Sequence, residues 1–220
     1  MRRPTPSEDP LNAIVNWCRV SAGREGLLAG KRIGLKDNMA LTGVPMTLGS
    51  RLLETYVPAE DCLVAQRLLA AGAEVVAKLN MDGFAWSAGA ETSDFGPILN
   101  PVDPSRTASG SSGGSAAALA YEHFDVTFGT DQAGSIRLPA AWCGVLGLKP
   151  THSLVPYTGI VPLDPAYCDS GPRSAARAPA NDNGATRGIR QPGSPAVRRG
   201  YPREVVFDRA ATFIGEFWGS

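Results

Sequence analysis

The sequence predicts an α/β fold, and three observations support this prediction. Residues 31–36 (KRIGLK) and 73–79 (AEVVAKL) are two short apolar runs of the kind that form buried strands. Residues 61–72, which lie between them, have apolar side chains at helical spacing. The composition is globular, because 43% of the 220 residues are hydrophobic and 19% are charged, which is enough for a buried core.

The ends of this strand–helix–strand segment carry recognisable signals. Asp61 is a suitable N-cap for a helix over residues 63–71, and Gly72 lies where a left-handed residue commonly ends a helix. A strand, a helix and a second strand in this order form a βαβ unit. We therefore expect the two strands to be parallel and the crossover to be right-handed.

The next part of the chain alternates between loops and short elements. Residues 92–114 are rich in Pro, Ser, Asn and Gly, which predicts a loop. Residues 115–121 (SAAALAY) predict a short alanine-rich helix, and residues 125–129 (DVTFG) predict a third strand. A glycine turn and the segment 135–150 follow, and the sequence assigns no element to them.

The C-terminal part differs in composition from the rest. All four lysines precede residue 150, whereas residues 173–220 contain eight arginines, no lysine and four acidic residues. We expect a boundary between a folded part, residues 1–172, and an Arg/Gly/Pro-rich tail, residues 173–220. Three interpretations of the tail stay open: a disordered extension, an arm for anionic surfaces or nucleic acid, and an out-of-frame translation of a GC-rich gene.

Several classes of protein are disfavoured by composition. The formal net charge is zero, which argues against binding nucleic acid through phosphate neutralisation. The sequence has no apolar stretch of membrane-spanning length, and its polar start is unlike a secretory signal. The four cysteines lack metal-binding spacing and there are only two histidines, so we expect no metal, reduced thiols and a cytoplasmic location.

Two segments rich in Ser and Gly are candidates for chemistry. The first, residues 109–115 (SGSSGGS), precedes a predicted helix, whose free N–H groups favour anions. A plain flexible turn is the simplest interpretation. A phosphate-binding P-loop is disfavoured because no Lys-Ser/Thr pair follows the last glycine. The pattern from Gly110 to Gly114 matches a hydrolase nucleophile elbow, but the two prolines before it make a poor strand.

The second segment is residues 130–137 (TDQAGSIR). Its small residues before Ser135 allow several backbone N–H groups to converge on one point, as in an oxyanion hole. A tight turn after a strand is an equally good interpretation of the segment by itself.

A serine nucleophile needs a base, and the histidines are weak candidates. His123 falls late in a predicted helix and His152 in a loop, and neither has an evident acidic partner in the sequence. Lys36 ends an apolar strand, where ligands commonly lie in α/β sheets. A buried lysine at this point would have a lowered pKa and could act as a base. The alternative is an ordinary ion pair, for example with Asp37.

Three separated motifs resemble those of the amidase signature family. They are GLKDN (34–38), SGSSGGSAAA (109–118) and GTDQAGSIRLPAAWCGVLGLKPT (129–151), and the key serines, Ser111 and Ser135, are 24 positions apart. The resemblance covers about residues 10–172. VPMTLGSR (44–51) and LVPYTGIVPLDP (154–165) look most similar to amidases found beside nitrile hydratases, and less similar to the glutaminyl-tRNA amidotransferase catalytic subunit.

The resemblance implies the hydrolysis of a carboxylic amide to an acid and ammonia or an amine, on a mixed sheet flanked by helices. It implies a triad with Ser135 as nucleophile, Ser111 as the bridging serine after a cis peptide, and Lys36 as base. No cofactor is implied. The other residues that the resemblance implicates are the oxyanion-hole N–H donors Gln132, Ala133, Gly134 and Ser135 and the supporting residues Gly110, Ser112, Asp131 and Arg137.

The chain also departs from the family pattern. Ala133 and Ser109 replace glycines of that pattern. Ser112, which matches the pattern, is expected to hydrogen-bond Lys36. Family domains run to several hundred residues, so we expect this chain to be a truncated N-terminal part. Three functional hypotheses follow: an amidase acting on a small-molecule amide, an inactive remnant, and an amidotransferase-type component that needs a partner chain. The resemblance also allows a homodimer, whereas the zero net charge and the lack of an apolar span argue against a nucleic-acid or membrane partner.

Overall fold

The fold is built on one six-stranded mixed sheet, seen in a computed structural model that describes residues 1–151, 154–164 and 173–176, the last four as backbone only. The strand order across the sheet is β1-β3-β2-β4-β6-β5. The strands are β1 (Ile14–Ser21), β2 (Arg32–Lys36), β3 (Glu74–Leu79), β4 (Val126–Gly129), β5 (Leu146–Gly147) and β6 (Arg173–Ala176).

Parallel strands form the centre of the sheet, and antiparallel strands lie on both sides. β2 is parallel to both β3 and β4, whereas β1 is antiparallel to β3 and β6 is antiparallel to β4 and β5. The α/β class and the mixed sheet expected from the sequence are therefore confirmed, as is the parallel βαβ unit.

The described residues contain three α-helices, α1 (Leu63–Ala70), α2 (Gly113–Ala117) and α3 (Arg137–Cys143). Cys62 is the N-cap of α1, because its Sγ accepts from the Ala65 N–H at 3.4 Å. The prediction of Asp61 as N-cap is wrong, since Asp61 instead accepts from the Thr42 N–H at 2.6 Å. None of the helices in these residues is long and apolar enough to cross a membrane.

Other predicted elements are confirmed with small shifts at their ends. Gly72 has a φ of 92°, the positive value that its place after α1 predicts. The alanine-rich helix begins earlier than expected, at Gly113, and after Ala117 it tightens into a 3-10 turn over Ala118–Ala120. The third strand of the prediction is β4.

Four described elements have no counterpart in the sequence prediction, namely β1, α3, the two-residue β5 and β6. β1 includes the buried Asn16 and the exposed Arg19, so its hydrophobic alternation is weak. α3 contains Pro139 in its first turn, where the missing N–H would have had no partner within the helix. Proline within a segment usually argues against a helix, but Pro139 is tolerated because it lies in the first turn of α3.

One apolar cluster lies where α2 meets the sheet, and its alanines allow close approach of the two. Its members come from the chain before β1, from β1, β3, α2, the 3-10 turn after α2, the end of α3 and the loops around them: Leu11, Ala13, Ile14, Ala77, Leu79, Ala90, Ile98, Ala108, Ala116, Ala117, Ala118, Leu119, Phe124 and Cys143.

The strand order brings three chain segments to one edge of the sheet. Because β2, β3 and β4 are parallel, the residues that follow them share the carboxyl edge, which is the usual ligand side of such sheets. Lys36 ends β2, Asp82 follows β3, and Thr130 and Asp131 follow β4. α2 begins at this edge, directly after Ser112.

The strand β6 lies beyond the boundary predicted at Pro172, so four residues of the predicted tail pair with the sheet. The rest of the predicted tail lies outside the described residues, as do His152 and Cys168. The division into two parts stays a prediction.

Candidate active site

Lys36 lies at the centre of the candidate site and is fully buried. Its Nζ is 2.8 Å from Ser111 Oγ and 3.0 Å from Thr130 Oγ1. Burial lowers the pKa of Lys36 from 10.5 to about 7, against the opposing effect of the Asp82 and Asp131 carboxylates. An amine with this pKa is largely neutral just above neutral pH and can accept a proton.

The alternative pairing of Lys36 with Asp37 is not found. Asp37 Oδ1 lies 3.2 Å from the Nζ of Lys78, and both side chains are fully buried. This contact is an ion pair without good hydrogen-bond geometry, since Asp37 Oδ1 has no hydrogen-bond partner. Asp37 Oδ2 accepts from the N–H and the hydroxyl of Thr47. Asp37 is thus paired with Lys78, and Lys36 has no ion-pair partner among the described residues.

Ser111 follows a cis peptide bond from Gly110, as the resemblance implies. A Cβ on residue 110 would lie 1.9 Å from Asp82 Oδ2, so only glycine fits there. Asp82 is fully buried, accepts from the N–H groups of Ala90 and Thr92, and donates its own N–H to the Ser111 carbonyl at 3.2 Å. The loop after β3 therefore holds the Gly110–Ser111 backbone in place.

The substitution of serine for glycine at position 109 has a local cost. Ser109 has a φ of 63°, in the left-handed region, which costs a non-glycine residue about 1 kcal/mol. Its hydroxyl donates to the Ala88 carbonyl at 2.9 Å, which helps to hold this conformation.

Ser112 connects the two Ser-Gly segments. Its Oγ donates to the Thr130 carbonyl at 3.0 Å and accepts from the Thr130 N–H at 3.3 Å. Its N–H donates to the Ser135 carbonyl at 3.1 Å. The expectation that Ser112 hydrogen-bonds Lys36 is wrong, because the Thr130 hydroxyl occupies that role.

Asp131 and Arg137 brace the turn that contains Ser135. The fully buried Asp131 carboxylate receives the Arg137 guanidinium at 2.9 and 3.0 Å. It also accepts from the N–H groups of Ile136 and Arg137, both at 3.3 Å. The hydrogen bond to Asp131 raises the pKa of Arg137 above its usual value. These bonds hold both ends of the turn to one carboxylate.

The predicted oxyanion donors differ in their availability. The Gly134 N–H donates to Asp131 Oδ1 at 2.8 Å, which contradicts its predicted role as an oxyanion donor. Within the described ranges, the N–H groups of Ala133 and Ser135 have no protein acceptor. Gln132 anchors the neighbouring loop through its side chain, whose Oε1 accepts from the Leu163 N–H at 2.7 Å.

Alanine at position 133 causes no backbone strain. The positive φ of this turn, 124°, falls on Gly134, and Ala133 lies outside the left-handed region. The departure from the family pattern at this residue is therefore compatible with the turn.

Ser135 is half-buried, whereas Ser111 and Lys36 are both fully buried. Among the described residues no hydrogen bond joins the hydroxyls of Ser111 and Ser135. The structure thus brings Lys36 and Ser111 into direct contact, and a backbone hydrogen bond joins Ser135 to Ser112, the residue after Ser111.

Sequence reasoning missed three buried residues of the site, Asn38, Asp82 and Thr130. Each follows the carboxyl end of a parallel strand, and that position was the only signal for them. His123 lies elsewhere, with its ring 5.4 Å from the Trp17 ring in an edge-on contact. Within the described ranges, no group of three or more His, Cys, Asp and Glu side chains could hold a metal ion.

Comparison with known proteins supports the fold and shows the family. The model of the amidase family matches residues 15–176, and the chain belongs to this family. It is 47% identical over 160 residues to the A-subunit of the glutamyl-tRNA(Gln) amidotransferase of Halobacterium salinarum, a match that covers 73% of this chain and 37% of that protein. The chain thus spans about a third of the length of this curated relative.

Solved structures show the same similarity. The A-subunit of the glutamyl-tRNA(Gln) amidotransferase from Thermotoga maritima superimposes with a TM-score of 0.71 and 34% identity, over 82% of this chain and 42% of that one. The allophanate hydrolase of Kluyveromyces lactis gives a TM-score of 0.69 and 31% identity, over 80% of this chain and 30% of that one. The finer likeness to amidases found beside nitrile hydratases is not supported by these relatives.

Proposed function

We propose that this chain carries the reaction centre of an amide hydrolase that works through an acyl-enzyme on Ser135. The observation that carries the proposal is the 2.8 Å contact between Lys36 Nζ and Ser111 Oγ, both fully buried. A buried lysine without a direct counter-ion is costly, and such arrangements commonly mark functional sites.

In the proposed reaction, Ser135 Oγ forms a bond to the amide carbonyl carbon. The Ser135 proton passes to Ser111 as the Ser111 proton passes to Lys36, which becomes an ammonium. The N–H groups of Ala133 and Ser135 would stabilise the oxyanion, and one such donor typically contributes about 3 kcal/mol in the transition state.

Collapse of this intermediate breaks the carbon–nitrogen bond. The proton returns from Lys36 through Ser111 to the leaving nitrogen, which departs as ammonia or an amine. Water then attacks the acyl-enzyme through the same relay and releases the acid and free Ser135. Because the relay needs a neutral Lys36, the rate should rise with pH up to the pKa of about 7 and then level off.

The first test is covalent labelling of the 220-residue chain with a fluorophosphonate, together with ammonia release from simple primary amides. We expect the label on Ser135, and we expect Ser135→Ala to lose both labelling and turnover by at least about a thousandfold. The matched control is Ser105→Ala, which removes an exposed hydroxyl elsewhere. Equal labelling or turnover in Ser135→Ala and the parent would exclude this assignment.

A second candidate is a component of an amidotransferase that works with a partner chain. It is favoured by the 47% identity to the A-subunit of a glutamyl-tRNA(Gln) amidotransferase. This function predicts that the chain alone turns over little amide and gains activity when a partner chain is added. Full activity of a monodisperse single chain would argue against it, and sedimentation would also test the predicted homodimer. An inactive remnant would show neither labelling nor turnover with any partner.

A further inference from the structure

Thr130 is the second hydrogen-bond partner of Lys36. Its Oγ1 lies 3.0 Å from Lys36 Nζ, on a side chain that immediately follows β4 and is 9% exposed. Ser111 and Thr130 are the hydrogen-bond partners of Lys36 Nζ among the described residues. The lysine amine is therefore held between two hydroxyls that come from different segments of the chain.

Asn38 fixes Thr130 from the other side. Its Nδ2 donates to Thr130 Oγ1 at 3.2 Å and to the Val161 carbonyl at 2.8 Å. A carbonyl oxygen can only accept, so the amide nitrogen must face Val161, and the orientation of the Asn38 side chain is determined. Thr130 Oγ1 then accepts one hydrogen bond from Asn38 and has one lone pair left for Lys36.

The free lone pair of Thr130 Oγ1 has a role in the reaction, because Lys36 gains a proton during it. When Lys36 has taken the proton of Ser111, its ammonium is fully buried and needs acceptors from the protein. One N–H faces Ser111 Oγ and a second faces the free lone pair of Thr130 Oγ1. A hydrogen bond to the charged form favours that form.

We propose that Thr130 is a positioning residue that holds the Lys36 amine on Ser111 and accepts a hydrogen bond from its ammonium during catalysis. This inference rests on the proposed function for its role in the reaction, but the contact itself can be tested without turnover.

The charged groups around Lys36 are fixed by other contacts. Asp82 after β3 and Asp131 after β4 both favour the ammonium form, and Asp131 is paired with Arg137. Asp37, beside Lys36 in sequence, is paired with Lys78. Thr130 is uncharged, so its removal changes hydrogen bonding to Lys36 and leaves these charges in place.

The experiment measures the titration of Lys36 directly. The chain has only four lysines, so their Cε signals can be followed by NMR after labelling with ¹³C-lysine, and Lys36→Met assigns the signal of interest. Thr130→Val keeps the shape of the side chain and removes the hydroxyl. We expect it to lower the Lys36 midpoint by about one pH unit, whereas Thr130→Ser should keep the parent midpoint.

Labelling of Ser135 provides the second measurement. Thr130→Val should slow the labelling of Ser135 at least about tenfold and shift to lower pH the range in which the labelling rate rises with pH. Thr130→Ser should have the labelling rate and the pH dependence of the parent. Thr130→Ala provides the same comparison where the valine variant does not fold. An unchanged Lys36 midpoint in the folded valine or alanine variant would overturn the inference. Absence of labelling in the parent would instead refute the proposed function and leave the NMR result valid.

Discussion

At the scale of single residues, the site depends on a buried amine that has no ion-pair partner in the part of the chain that the structure describes. Lys36 makes hydrogen bonds to two hydroxyls, and the carboxylate next to it in sequence is paired with Lys78. Such a residue destabilises the fold whenever it is charged, because its desolvation is only partly compensated. The same desolvation makes Lys36 a usable base near neutral pH.

This cost predicts how stability depends on pH. The folded pKa of about 7 lies below the ordinary value of 10.5, so between these values the unfolded chain binds more protons and the penalty falls as pH rises. We expect Lys36→Met to be more stable than the parent at about pH 6, and this advantage to shrink by about 3 kcal/mol by about pH 9.

Urea unfolding of both proteins at each pH measures this difference. The control is Lys31→Met, because the Lys31 side chain is 55% exposed in the parent. The difference in unfolding free energy between this variant and the parent should be the same at each pH. A flat difference for Lys36→Met as well would mean that Lys36 titrates at its ordinary value.

The sequence indicated part of this residue-scale arrangement. Lys36 could be singled out because it ends an apolar strand, and Ser111 and Ser135 because they lie in glycine-rich segments. Thr130 and Asn38 could not, since a threonine and an asparagine after strands are common. Their importance depends on contacts between segments 92 residues apart.

At the scale of elements, β2 and β3 are joined by a buried ion pair as well as by backbone hydrogen bonds. Lys78 in β3 lies opposite Leu35 in β2, and its Nζ reaches Asp37 just past the end of β2. This pair fixes the carboxyl ends of both strands, and so the position of Lys36.

The ion pair leads to a prediction for two substitutions. Lys78→Met alone leaves the Asp37 carboxylate buried and unpaired, which should cost about 3 to 5 kcal/mol of unfolding free energy. Asp37→Asn combined with Lys78→Met removes both charges and should recover most of that loss. Denaturant unfolding of both single variants and the double variant measures the coupling. Additive effects would show that the pair contributes nothing specific.

Local signals account for the elements that could be predicted. The β2–α1–β3 unit has short apolar runs and a glycine at the end of its helix, so its course and parallel pairing follow from the sequence. β1 carries polar residues within its hydrophobic pattern, so the sequence of this segment alone does not indicate a strand. It forms a strand because it pairs with β3, about 60 residues later in the chain. α3 was hidden by Pro139, which is harmless only because it lies in the first turn.

At the scale of the whole molecule, the sheet extends past the boundary that the motifs suggested. The family model ends at residue 176, and β6 ends at the same residue. β6 lies between β4 and β5, with Ala175 opposite both Thr127 and Gly147. The sequence motifs that indicate chemistry end before this strand. β6 contributes backbone pairing, so its sequence carries no comparable signal.

We therefore propose that the folded part includes β6, and the last prediction tests this with two shortened chains. A chain ending at Pro172 lacks β6, so β4 loses one neighbour and the two-residue β5 loses the strand that pairs with it. An unpaired edge of this kind destabilises a sheet and promotes association. We expect this chain to melt at a lower temperature than a chain ending at Ala176. Hydrogen exchange locates the effect, because the β4 amides that face β6 should exchange faster only in the chain that ends at Pro172. Equal melting and equal exchange in both shortened chains would place the boundary back at Pro172.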